Sequence, residues 1–211
     1  MLYIFDWDGT ISNSAAKIVA CMRSATQQVG LPDLCDDTIK NIIGLGLPEA
    51  IRTLYPNISD ADLLTVRDGY SAFFVDADVQ PSPFFDGAMS TMETLAAAGH
   101  TLAVATGKSR RGLDRVLRKL QLDRFFHGSR CADETASKPH PQMLLELLNE
   151  FQMPVSQAVM IGDTEYDMAM AREIGMQRIA VSFGAHHIDR LKVYDPVLCV
   201  DHFSEILRWS A

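Results

Sequence analysis

Short, nearly continuous apolar runs at residues 2–5, 101–105, 158–161, 178–181 and 197–200 constrain this chain more than any other feature. A run with no polar alternation cannot leave one face in water, so it belongs in a parallel sheet covered by helices on both sides. From about residue 85 these runs alternate with helical patterns: 86–98 stopped by Gly99, a helix after Ser109, 140–151, 163–174 closed by Gly175, and a last one from about Ser204. A shorter strand is predicted within residues 125–131. Strand and helix in alternation imply βαβ units. The predicted class is α/β, a doubly wound, mostly parallel, Rossmann-like sheet core.

Residues 14–80 break that rhythm, because they read as helical almost throughout. Ser14 stands where a helix cap is expected, and the helix it opens runs to a stop at Gly30 with Pro32 beyond. A second helix is predicted over 36–43, a Gly44-Leu45-Gly46 break follows, Pro48 can start a third helix, and a fourth covers 59–76. Pro81-Ser82-Pro83 then forces an extended boundary. The division expected is a catalytic core of residues 1–13 and 81–211 with an inserted helical cap at 14–80.

The first apolar run ends in Asp6-Trp7-Asp8-Gly9-Thr10. Ligands of open α/β sheets bind at the carboxyl ends of the strands, so acids followed by a glycine turn are placed to meet one. Alternation sets Asp6 and Asp8 on one side and turns Trp7 away, against the first helices of the core. An Asp-Gly hairpin turn is the competing reading, but Ile11-Ser12-Asn13-Ser14 leads into a helix instead of a second strand.

Three later strand ends add to this pair. Thr106-Gly107-Lys108-Ser109 offers a hydroxyl and a flexible turn at a helix start, a natural phosphate cradle; taken alone, Thr106 reads as an ordinary helix cap. It is not a P-loop, since Leu102 stands where the first glycine would be needed. Lys138 precedes Pro139 and by itself would be a surface lysine. Gly162-Asp163 and Asp167 follow a buried strand, with the two acids facing one way across a helix start. Gathered at one edge, Asp6, Asp8, Asp163 and Asp167 would repel strongly, about 4 kcal/mol for each pair ~4 Å apart at an effective dielectric near 20. Carboxylate and carbonyl oxygens of this kind suit Mg²⁺ completed by a substrate phosphate, for which Thr106 and Lys138 supply donors.

In this order and across nearly the whole chain, these segments resemble the haloacid dehalogenase superfamily, in its phosphatase branch with a helical C1 cap, and within it the phosphoglycolate phosphatases. The resemblance implies that Asp6 is a nucleophile forming an aspartyl phosphate, and that Asp8 is general acid and then base. It implies Mg²⁺ held by Asp6, the backbone carbonyl of Asp8 and Asp163, with Asp167 in support. Thr106, the amide of Gly107 and Lys138 would bind the phosphoryl group. Asp8 argues for phosphoryl transfer over dehalogenation, since a leaving halide needs no proton. A phosphoglucomutase-like phosphotransferase and a non-catalytic binding or regulatory protein of the same fold are the alternatives.

The net charge of −8 with scattered basic residues excludes a nucleic-acid surface, and no apolar run is long enough for a membrane. Cys21, Cys35, Cys131 and Cys199 lack paired spacing and read as reduced thiols in a cytoplasmic protein. The expected partner is a small phosphorylated metabolite, and the expected assembly a monomer or homodimer. In the cap, Lys40 or Arg52 is a candidate for a distal anion, though each alone fits a solvated helix face. His186 and His187 read as surface or capping residues, not a zinc site, and Met160, Met168, Met170 and Met176 as core filling.

Overall fold

The computed structural model describes residues 1–209. Strand β1 (Leu2–Phe5) is followed by helices α1 (Ala15–Gln28), α2 (Asp36–Lys40), α3 (Leu47–Leu54) and α4 (Asp60–Ala77). The rest alternates: α5 (Ala88–Ala97), β2 (Thr101–Thr106), α6 (Arg110–Lys119), β3 (Gly128–Cys131), α7 (Gln142–Glu150), β4 (Ala158–Gly162), α8 (Glu165–Glu173), β5 (Gln177–Val181), α9 (Ile188–Lys192) and β6 (Leu198–Val200). A 3₁₀ turn at Phe203–Arg208 takes the place of the expected last α-helix.

The six strands form one sheet in the order β3-β2-β1-β4-β5-β6, and every neighbouring pair is parallel. Successive crossovers leave β1 in opposite directions, so the gap between β1 and β4 is the point where strand order reverses. Alternation explains why β1 is apolar throughout. Tyr3 and Phe5 face a core with Leu102, Val104, Val159 and Ile161, while Leu2 and Ile4 face another with Ala103, Ala105, Ala158 and Met160. Trp7 continues the Tyr3 and Phe5 side, packing edge-on against Phe84 and Phe126 in the core that α5 and α6 cover.

Helices α1 to α4 close around their own apolar residues, among them Val19, Met22, Ile39, Ile51, Leu63 and Val66. The two chain segments that join them to the sheet lie side by side, with Asn13 N–H donating to Pro83 O at 2.8 Å and Phe85 N–H to Ile11 O at 3.0 Å. Several boundaries differ from the sequence reading for local reasons. Helix α2 stops at Lys40 rather than 43, where the chain turns towards the left-handed Gly44. Helix α7 starts at Gln142, after Pro141 at its cap position. Helix α8 starts at Glu165 because Thr164 and Asp167 form a capping box, which leaves Asp163 outside the helix.

Candidate active site

Asp6 leaves β1 still in the sheet, its N–H donating to Ile161 O at 2.9 Å, and its carboxylate is buried. Oδ1 accepts from Lys138 Nζ at 2.6 Å, whereas Oδ2 is buried and has no partner among the described residues. Lys138 reaches the same edge from the loop after β3, and its ammonium also meets Asp167 Oδ1 at 2.6 Å. The surface position that Lys138 alone suggested is therefore wrong, since its side chain is 0% exposed. Burial alone would lower its pKa, but Asp167 and Asp6 outweigh this and hold it above the usual lysine range.

Asp163 sits at the end of β4, and its carboxylate is oriented by Thr10 Oγ1 at 2.8 Å and Ala185 N–H at 2.7 Å. Gly9 makes this approach possible: its φ is +91°, and a Cβ there would lie 2.1 Å from Asp163 Oδ2. Burial, then Asp167, pushes the Asp163 carboxyl up to about 7, against the donors just named. Burial likewise drives Asp6 well above the carboxylate range. One carboxylate oxygen from each of Asp6, Asp163 and Asp167 lies within 4.8 Å of the other two. A buried, mutually repelling set of carboxylates fits a small hard cation, and Mg²⁺ suits these ligands. Both oxygens of Asp167 already have partners, Oδ1 in Lys138 and Oδ2 in Thr164 Oγ1 at 2.7 Å.

Asp8 points elsewhere. Oδ1 accepts from Ser14 Oγ at 2.6 Å, and Oδ2 pairs with Lys108 Nζ at 2.9 Å. Lys108 in turn lies 4.5 Å from the ring centre of Phe74 on α4. Ser14 occupies the cap position of α1 but makes no side-chain cap, having turned its hydroxyl to Asp8. Thr106 ends β2 fully buried, and its hydroxyl accepts from Lys108 N–H at 3.2 Å. It does not cap α6, a role filled by Ser109. Gly107, Lys108, Asp6 and Asp8 open onto a cavity of about 810 Å³, whose far side includes Tyr70 and Phe74.

The structure thus brings Asp6, Asp8, Thr106, Gly107, Lys138, Asp163 and Asp167 to one edge of the sheet. Residues that the sequence reading did not assign to the site are Lys108, Ser14 and Thr10; Lys108 and Thr10 stand inside the quoted motifs, and that adjacency was the available signal. Lys40 and Arg52 are outside the cavity, pairing with the exposed Asp37 and Asp60, as solvated helix faces do. His186 corrects the surface reading: it is 2% exposed, though Nδ1 does accept from Glu165 N–H at the start of α8. His187 is exposed and caps α9. The four cysteines are unpaired. No helix among the described residues is long and apolar enough to cross a membrane.

The model of the haloacid dehalogenase-like hydrolase family matches residues 3–181. This chain belongs to that family. Among curated relatives, it is 32% identical over 210 residues to a protein of Dickeya dadantii named probable phosphatase IndB, covering 98% of this chain and 91% of the relative. A phosphoglycolate phosphatase of Vibrio parahaemolyticus is 24% identical, with 98% and 94% covered. In fold, the chain is similar to the crystal structure of a predicted phosphoglycolate phosphatase from Haemophilus somnus, with a TM-score of 0.89, 22% identity and 98% and 96% covered.

Proposed function

We propose that this chain is a Mg²⁺-dependent phosphomonoester hydrolase working through an aspartyl phosphate on Asp6, with residues 14–80 acting as a cap over the site. The enzyme class is phosphatase, in keeping with the family and the relatives. The observation that carries the mechanism is Asp6 Oδ2, a buried carboxylate oxygen without a partner, while its twin is fixed by Lys138. A fixed carboxylate with one unspent oxygen is prepared for attack, because no hydrogen bond must first be broken.

In this reading Asp6 Oδ2 bonds to phosphorus as the bond to the leaving alcohol breaks. Asp8 gives its proton to the departing oxygen, then takes one from the water that attacks the acyl phosphate, releasing inorganic phosphate and restoring Asp6. Ser14 and Lys108 hold the Asp8 carboxyl in place for both transfers. Thr106 and the Gly107 amide receive phosphoryl oxygens at the end of β2, and Lys138 aligns Asp6 while its charge opposes the rise that burial imposes on the Asp6 carboxyl. Mg²⁺, held by Asp6, the carbonyl of Asp8 and Asp163 with Asp167 in support, would neutralise charge on the phosphoryl group as it transfers. Enzymes acting on phosphate monoesters reach accelerations up to ~10²¹, so a convergence of this many charges is in proportion to the barrier.

Phosphoglycolate is the first substrate to assay, since relatives bear that name. The test is release of inorganic phosphate from an aryl phosphate, with and without Mg²⁺, beside Asp6→Asn, followed by phosphoglycolate, sugar phosphates and nucleoside monophosphates ranked by kcat/KM. Metal-dependent release that disappears in Asp6→Asn supports the reading. Metal-independent release, or an undiminished variant, overturns it.

A further inference from the structure

Asn41, the cap residue just after α2, carries an unusual load. Its backbone carbonyl accepts from Tyr166 Oη–H at 2.8 Å and lies 3.2 Å from His186 Nε2, and its side-chain Oδ1 accepts from Arg190 Nη1 at 2.7 Å. A helix's last carbonyls have no partner within the helix, so three donors from distant parts of the chain are a substantial investment in one position. Tyr166 stands on α8, His186 between β5 and α9, and Arg190 on α9, and none is idle there.

Tyr166 lies on α8 directly before Asp167. His186 N–H donates to Asp163 O at 3.3 Å, and the preceding Ala185 N–H holds Asp163 Oδ2 at 2.7 Å. The His186 ring accepts at Nδ1 from Glu165 N–H, which leaves the proton on Nε2 to be donated to Asn41 O. Arg190 is fixed by Glu165, at 2.7 and 3.2 Å. The groups that grip Asn41 are therefore the groups that shape the Asp163 turn and the first turn of α8.

Beyond Asn41 the chain runs straight over the site. The carbonyls of Gly44 and Leu45 lie so close to Gly107 that a Cβ there would come within 2.6 and 2.5 Å of them. Gly46 N–H is then anchored on Ser137 Oγ at 2.8 Å, next to Lys138. The loop between Asn41 and Gly46 is thus pinned at one end beside Asp163 and Asp167, and at the other beside Lys138.

We propose that Asn41 is a positioning residue that couples the seating of this loop over the site to cation binding at Asp163. The coupling rests on the Mg²⁺ reading above. A cation that fixes the Asp163 turn also fixes Tyr166, His186 and Arg190, and with them Asn41 and the loop. By linkage, the factor by which the cation favours the seated loop equals the factor by which the seated loop favours the cation, so loss of the grip lowers cation affinity by at most that factor. Neither Asn41 nor Tyr166 touches the reacting atoms, so both can be changed without removing a reacting group.

The experiment measures backbone hydrogen exchange of peptides covering residues 41–46, with and without Mg²⁺, in the parent, Asn41→Ala, Tyr166→Phe and Asn41→Asp, together with Mg²⁺ affinity by calorimetry. In the parent, Mg²⁺ slows exchange in this segment about tenfold or more. In Asn41→Ala and Tyr166→Phe that protection falls to about threefold or less, Mg²⁺ affinity weakens by a similar factor, and kcat at saturating Mg²⁺ changes little. Asn41→Asp keeps an acceptor for Arg190 and restores both readouts. Mg²⁺ binding that leaves the parent's segment 41–46 unprotected, or full protection in both weakened variants, overturns the coupling alone. No Mg²⁺ binding by the parent overturns the cation reading and the coupling with it.

Discussion

Lys138→Met exchanges a buried ammonium for an apolar chain of similar length, and strips Asp6 and Asp167 of a partner that sits 2.6 Å from each. At an effective dielectric near 20, each contact is worth about 6 kcal/mol of gross attraction, much of it offset by the cost of burying the charges. Removing one member of such a set leaves uncompensated carboxylates, which typically costs about 3–5 kcal/mol. Here the loss falls at the top of that range, because Asp163 lies in the same cluster. The assay is urea unfolding in chelator, from pH 5 to pH 8. The deficit is largest at pH 8 and shrinks towards pH 5, as Asp163, whose carboxyl burial pushes up to about 7, takes up a proton. Mg²⁺ recovers part of the deficit but not activity. A Lys138→Met protein within about 0.5 kcal/mol of the parent at pH 8, the range of an ordinary surface change, would show that Lys138 does not compensate the buried carboxylates.

Without metal, the parent itself loses stability as pH rises. The Asp163 carboxyl goes from 3.8 unfolded to about 7 folded, so the folded state binds the proton more tightly, and that contribution fades between about pH 4 and pH 7. Its size is on the order of 4 kcal/mol, and thermal unfolding with and without Mg²⁺ shows the decline in the metal-free protein alone. Asp8→Asn lowers kcat by about 10²–10⁴ on alkyl phosphates, and less on nitrophenyl phosphate, whose leaving oxygen needs little protonation. Equal losses on both substrates would remove Asp8 as the proton donor. Gly9→Ala places a Cβ 2.1 Å from Asp163 Oδ2 at a φ of +91°, so both stability and Mg²⁺ affinity fall, measured by urea unfolding and calorimetry.

The sheet was legible because a strand buried on both faces must be apolar at consecutive positions, as at residues 2–5 and 158–161. Much of the candidate site was legible for a related reason. Asp6, Thr106 and Asp163 are polar residues at or just past strand ends, and a parallel sheet brings such ends to one edge without further information. Pairings across the chain were not legible. That Lys138 would be buried between Asp6 and Asp167 depends on residues 132 and 29 positions away. Ser14 looked like a cap because caps are local, yet its hydroxyl serves Asp8. His186 looked superficial because the segment that covers it, around Asn41, comes from 145 residues earlier.

In the proposed reaction Asp6 carries the phosphoryl group between substrate and water. Rapid quenching during turnover, followed by borohydride reduction and peptide mass spectrometry, tests it directly, because an acyl phosphate is reduced to the alcohol where a free carboxylate is not. Homoserine is expected at position 6, formed only when Mg²⁺ and substrate are both present and absent from Asp6→Asn. Phosphate released at the full rate with Asp6 unmodified at every quench time, or the adduct found on another residue, would contradict it.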